Sequence, residues 1–142
     1  MKKRLPFIIS SIIVTIFIFN NSLQSAEASL EDSGFLTALL AKIFEALNIF
    51  AEDGTILFIV RKAAHIFEFA LQASLISFCF CGKYKKRIIY ILFLGLLTAC
   101  TDEYLQLYSP GRAGMVSDIF MDFAGTVLGM LFSGLIYKIR RK

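Results

Sequence analysis

The chain is short of the residues around which disulfide-bonded, zinc-binding and nucleotide-binding domains are built. Its three cysteines are odd in number and lie in apolar runs. Cys79, Cys81 and Cys100 therefore offer neither a disulfide framework nor zinc spacing, and read as small buried apolar residues. Histidine occurs once, at His65, which excludes a His-x-x-x-His metal pair. No phosphate-cradling glycine-rich loop, internal repeat or low-complexity tract is present. The spacing thus predicts no metal and no cofactor. Charge is scarce as well: 18% of the 142 residues are charged, against 57% hydrophobic with fifteen Phe. That is the composition of a membrane protein. The net charge of +4 does not point to nucleic acid, because the bases form no aromatic-interleaved patch.

Four apolar segments are present, at about 5–21, 56–81, 88–107 and 115–137. A hydrocarbon core needs roughly 20 apolar residues as helix, so the first is short and the other three fit. The first also has the basic start and apolar stretch of a signal peptide, with "AEA" at Ala26–Ala28 resembling a cleavage site. Eleven of the fifteen Lys and Arg fall in three clusters: "MKKR" at the start, Lys83, Lys85, Lys86 and Arg87, and Lys138, Arg140, Arg141 and Lys142. Four spans place all three clusters on one side. The positive-inside rule makes that side cytoplasmic, with both termini there. None of the eleven Asp and Glu lies in a basic cluster, so the polar chemistry is expected on the outer side.

The expected fold is an all-α membrane protein, one domain over 1–142, built as a bundle of four transmembrane helices. Its outer loop, 22–55, carries "GFLTALLAKIFEALNIF". Ser33 or Asp32 is the expected helix cap there, and Thr37, Ala41, Glu45 and Asn48 share a face at helical spacing. This predicts an interfacial helix, with "EDGT" at Glu52–Thr55 turning the chain back.

Polar residues recur near the outer ends of the spans. In "RKAAHIFEF", Arg61 and Lys62 reach the outer interface by snorkelling. Arg61, His65, Glu68 and Gln72 fall within about 60° on one helix face. That face must look into the bundle or into a water-filled cavity. Segment three ends in "TDEYLQLY", where Asp102 and Gln106 share a face with Glu103 beside them. "SPGRAG" follows as a Pro110-Gly111 turn that holds Arg112. In segment four Asp118, Asp122, Gly125 and Gly129 form one stripe, and the G-x-x-x-G step predicts close helix packing. Leaving an ionised group unpaired at membrane depth costs about 2.5–3.5 kcal/mol or more, so these groups are expected to converge. The inner half of the bundle shows no polar residues that would continue a proton path.

The ordered set "RKAAHIFEF", "TDEYLQLYSPGR" and "SDIFMDFAGTVLG" resembles the VanZ-like family of bacterial integral membrane proteins. The family pattern is Lys-x-x-His-x-x-Glu-Tyr, then Asp-Glu-x-x-Gln, Pro-Gly-Arg, and Asp-x-x-x-Asn-x-x-Gly-x-x-x-Gly. Lys62, His65, Glu68, Asp102, Glu103, Gln106, Pro110, Gly111, Arg112, Asp118, Gly125 and Gly129 match it. Phe69 stands where the family has Tyr, and Asp122 where it has Asn. "SLQSAEASLEDS" resembles the family's Ser- and Gln-rich stretch after the first span, which implies that segment one is retained.

The resemblance implies a multi-pass cell-membrane protein contributing to teicoplanin-type glycopeptide resistance or to cell-envelope function. The expected partners are the lipid bilayer and an amphipathic ligand, a lipid-tailed glycopeptide or a lipid-linked cell-wall intermediate. Lys62, His65, Glu68, Asp102, Glu103, Gln106, Arg112, Asp118 and Asp122 are the expected ligand-binding residues. Phe35, Phe44 and Phe50 would meet the ligand's tail. The alternative is a membrane enzyme, acid/base or metal-assisted, acting on a lipid-linked envelope substrate. There His65, Glu68, Asp102 and Glu103 are the catalytic candidates, and in the metal-assisted form Asp102, Glu103, Asp118 and His65 would hold a divalent cation, Mg²⁺, Mn²⁺ or Zn²⁺. A purely structural reading pairs Arg112 with Asp118 or Glu103, and His65 with Glu68 or Asp102.

Overall fold

The computed structural model describes residues 4–47, 52–80 and 84–140, and among them the chain is all helical, with no strand. Five helices follow in order: α1 (Leu5–Leu23), α2 (Ala26–Ala46), α3 (Asp53–Cys79), α4 (Tyr84–Gln106) and α5 (Val116–Ile139). Asn48, Phe50, Cys81 and the basic residues Lys2, Lys3, Lys83, Arg141 and Lys142 lie outside the described residues.

The helix boundaries have local causes. Pro6 sits in the first turn of α1, where its missing N–H costs nothing. After Gln24 turns the backbone extended, Ser25 Oγ accepts from Ala28 N (3.2 Å) and starts α2. The helix therefore begins well before the expected cap at Ser33 or Asp32. Ser33 instead lies inside it, donating to Ser29 O (2.8 Å), because Ser25 is the first extended residue with a side-chain oxygen in capping position. Between α4 and α5, Gly111 takes φ +75°, a left-handed conformation in which a Cβ is strained.

α1, α5 and the Arg87–Gln106 part of α4 are long and apolar enough to cross a membrane. α3 is the longest helix, at 27 residues, or about 40 Å at 1.5 Å per residue. It does not join the other three, since Arg61, Lys62, His65 and Glu68 dilute its apolar sequence. α3 is nevertheless central, packing against α1, α2, α4 and α5.

Side-chain pairings give the directions. Asn21 meets Glu68 and Thr15 meets Gln72, so α1 and α3 run antiparallel. Gln72 meets Thr98 while His65 approaches Asp102, so α3 and α4 are antiparallel too. Lys62 meets Asp118 and Ser74 meets Gly129, so α3 and α5 run parallel. Arg4, Arg87, Lys138 and Arg140 consequently share one end of the bundle, while the carboxylates gather at the other.

The bundle is polar inside and apolar outside. Among the described residues twelve polar or charged side chains are buried against seven hydrophobic ones, while Phe35, Phe67, Phe120 and Val116 stand exposed. Water as the only solvent would favour the reverse. The half remote from the carboxylates is not free of polar groups, as the sequence had suggested. Ser74, Ser77, Thr98, Thr126 and Ser133 are buried there. Ser74, Ser77, Thr98 and Ser133 donate to the carbonyl one turn back on their own helix, an option that hides a hydroxyl without a partner helix. Cys100 also departs from expectation. It is exposed, because it falls on the outward stripe of α4 with Phe93, Leu97 and Tyr104.

Glycine sets the closest packing. A Cβ on Gly125 would stand 2.5 Å from Ile66 O, and one on Gly129 would collide with Ala70 O. α5 thus lies on α3 at backbone contact. Gly129→Ala should lower thermal stability in detergent by about 1–3 kcal/mol through overpacking. Gly34→Ala, whose Cβ meets nothing within 4 Å, should gain about 0.5–1 kcal/mol through helix propensity. Equal melting shifts for the two would contradict the backbone contact.

Candidate functional site

At the carboxylate end, α3, α4, α5 and the 107–115 turn enclose a cavity of about 350 Å³. Arg61, Lys62 and His65 reach it from α3, Gln106 from the end of α4, Arg112 from the turn, and Asp118 and Asp122 from α5. Gly54, Leu57 and Phe58, in the first turns of α3, complete one wall. The three motifs, far apart in sequence, converge because antiparallel α3 and α4 and parallel α3 and α5 bring the same ends together.

Lys62 Nζ lies 2.5 Å from Asp118 Oδ1 and 5.4 Å from the centre of the Phe58 ring. Asp118 is in the first turn of α5, where a carboxylate is also favoured by the helix dipole. One turn deeper, His65 Nδ1 stands 3.5 Å from Asp122 Oδ1 and 4.0 Å from Asp102 Oδ2. Asp102 and Asp122 are 0% and 1% exposed, so burial makes their partners matter. Asp102 accepts from Ser22 Oγ on one oxygen and from Gln106 Nε2 (3.0 Å) on the other. Among the described residues Asp122 Oδ2 has no hydrogen-bond partner.

Glu103 and Glu68, both expected in the pocket, point elsewhere. Glu103 accepts from Gln106 Nε2 (3.0 Å) and from Met115 N (2.8 Å), tying α4 to the start of α5. Glu68 accepts from Asn21 Nδ2 (3.1 Å) on α1. Gln72 continues that seam, donating to Thr15 Oγ1 (2.7 Å) and Thr98 Oγ1 (3.2 Å). The face predicted for α3 therefore divides: Arg61 and His65, with Lys62 beside them, serve the cavity, and Glu68 and Gln72 serve the packing.

Arg112 does not pair with Asp118 or Glu103, the partners expected on a purely structural reading. Asp118 is taken by Lys62, and Arg112 Nε is buried without a partner among the described residues. Burial pushes the Arg112 guanidinium down from its ordinary value, and repulsion from Arg61 adds to it. Two guanidinium groups near one another, one with a buried orphan donor, make a place that an anion would relieve.

Sequence reasoning missed the contribution of the first segment. Asn21 and Ser22 hold Glu68 and Asp102, and Ser22 O accepts from Ser109 Oγ (2.6 Å). The signal was present in "NNS", a polar tripeptide closing an apolar run. Pro110 O also accepts from Ala26 N (3.0 Å), joining the turn that holds Arg112 to the start of α2. His65, Asp102 and Asp122 form a grouping that no linear spacing reveals. One ligand-type atom from each lies within 4.8 Å of the others.

Ser22→Ala should leave Asp102 short of a donor and lower stability by about 1–3 kcal/mol. Tyr104→Phe, which removes an exposed hydroxyl paired with the exposed Tyr108 hydroxyl, should stay within about 0.5 kcal/mol. Melting curves of the two purified variants check this directly.

Among known proteins, a family model described as VanZ/LLP1 matches residues 7–139. Neither a curated protein nor a solved structure matches the chain.

Proposed function

The chain belongs to the VanZ/LLP1 family, and from that premise we propose that it is a four-span membrane protein whose outward-facing pocket binds an amphipathic ligand with an anionic head. The observation that carries the reading is the cavity of about 350 Å³ bordered by Arg61, Lys62 and Arg112, with Arg112 Nε buried and unpartnered. An anionic group entering there gains the orphan donor and separates two repelling cations.

α1, α3, α4 and α5 are the spans. α3 crosses because His65 and Glu68 lie against other helices at the pocket end, and its remaining half is apolar or hydroxyl-bearing save for Gln72, which is buried and hydrogen-bonded to Thr15 and Thr98. The basic end of the bundle faces the cytoplasm with both termini, which turns the cavity outward. α2 lies in the outer interface, its exposed Phe35, Leu36, Leu39 and Ile43 embedded among lipid tails. The apolar part of a bound ligand rests against that surface. The ligand classes that fit are a lipid-tailed glycopeptide of the teicoplanin type and a lipid-linked envelope intermediate. Lys62, His65, Gln106, Arg112, Asp118 and Asp122 contact the head. Asp102, Glu103 and Glu68 hold the wall behind them.

A second reading has one specific observation in its favour. His65 sits between two buried carboxylates at 3.5 and 4.0 Å, an arrangement that orients an imidazole for acid/base work on a lipid-linked substrate.

Arg112→Ala and His65→Ala, at unchanged membrane abundance, should each weaken binding of a lipid-tailed glycopeptide by tenfold or more, or about 1.4 kcal/mol. Any protective phenotype in cells should fall with it. Loss of abundance in both variants would instead assign these residues to folding alone. Turnover of lipid-linked precursors by the purified chain would replace binding with the enzyme reading.

A further inference from the structure

Buried charges in proteins are paired or coordinate metals. Asp122, which lines the cavity, and Asp102, which lies behind that lining, are almost wholly buried. Neither has a Lys or Arg nitrogen within ion-pair distance among the described residues, since Lys62 is engaged by Asp118. Their shared neighbour is His65, a single half-buried imidazole. Asp122 Oδ2, in addition, accepts nothing. The cluster therefore holds more negative charge, and one more free acceptor, than its protein partners satisfy.

We propose that His65, Asp102 and Asp122 form a binding site for one divalent transition-metal cation, with Zn²⁺ and Mn²⁺ as the matching class. The donor set is one imidazole nitrogen and two carboxylates. Hard Mg²⁺ and Ca²⁺ favour all-oxygen shells, whereas Zn²⁺ and Mn²⁺ accept this mixture. Tetrahedral Zn²⁺ with bonds of about 2.0–2.1 Å sets its ligand atoms about 3.4 Å apart. The pairs at 3.5 and 4.0 Å, within a group no wider than 4.8 Å, are slightly open relative to that figure.

Supporting contacts are already in place. Ser22 Oγ and Gln106 Nε2 fix the Asp102 carboxylate, as outer hydrogen bonds orient metal ligands generally. Three protein ligands leave a fourth position open, and the cavity lies on that side because His65 and Asp122 line it. The cation also answers a charge problem in the binding reading on which this last step rests. An anionic head entering between Arg112 and Lys62 faces Asp118 and Asp122 as well, and a cation at this site offsets those carboxylates and gives a phosphate or carboxylate oxygen a direct ligand position.

The test uses the full chain in detergent, stripped with chelator, with Zn²⁺ or Mn²⁺ alone as the probe. Calorimetry and elemental analysis should show one equivalent per chain. Asp122→Asn should weaken binding by at least about tenfold, and the remote carboxylate variant Glu31→Gln should leave it unchanged. X-ray absorption of the loaded wild-type chain should show one imidazole nitrogen among oxygen ligands, a readout that needs no variant to fold. Absence of bound metal in the wild-type chain, sulfur ligation, or equal affinity in Asp122→Asn would each overturn the proposal. Because no organic ligand is present, failure here leaves the anion-binding reading to its own experiment.

Discussion

The contact of α5 with α3 at backbone distance is the constraint from which the polar end of the molecule follows. Gly125 and Gly129 lie against the carbonyls of Ile66 and Ala70. Side chains one and two turns back on the same stripes, Asp122 and Asp118, therefore fall beside His65 and Lys62. A larger residue at either glycine would separate the helices and leave two carboxylates facing an apolar surround. The packing step and the electrostatic pairs are in this sense one feature.

A second helix pair completes the arrangement. α4 brings Asp102 to the same depth as His65, and α1 supplies the hydroxyl and amide that hold Asp102 and Glu68. Polar groups are collected inside the bundle while phenylalanines and branched aliphatics cover the outside. Carbonyls one turn back satisfy most of the hydroxyls away from the site, while Thr126 Oγ1 and Gln72 Oε1 have no partner among the described residues. At the pocket end Arg112 Nε and Asp122 Oδ2 are likewise without partners among them, one a donor and one an acceptor. These two lie on residues that line the cavity.

Much of this was legible in the chain. Helical period and apolar length located α1, α3, α4 and α5 to within a few residues. The stripe Asp118, Asp122, Gly125 and Gly129 announced a close helix contact, without saying that α3 is the helix met at backbone distance. Less legible was the start of α2, where Ser25 outcompeted the expected cap because it directly follows the extended Gln24. Equally hidden was the outward placement of Cys100, since an apolar run reads the same on a lipid-facing stripe and in a core. For Glu68, a face shared with His65 on one helix concealed that two different neighbours, α1 and α5, divide that face.

Residue types and their spacing determined by themselves that the chain is helical, that Arg4, Arg87, Lys138 and Arg140 collect at one end, and that Lys62, His65, Asp102, Arg112, Asp118 and Asp122 belong to one polar region. Periodicity carries such information because it depends only on a helix's own geometry. Of the pairings the sequence offered, His65 with Asp102 is present, and the tertiary structure decided the others. Lys62 rather than Arg112 took Asp118, Glu103 turned to the start of α5, and Asp102 and Asp122 closed around His65. Those choices depend on distances between helices, and no spacing along a single segment encodes a distance to another.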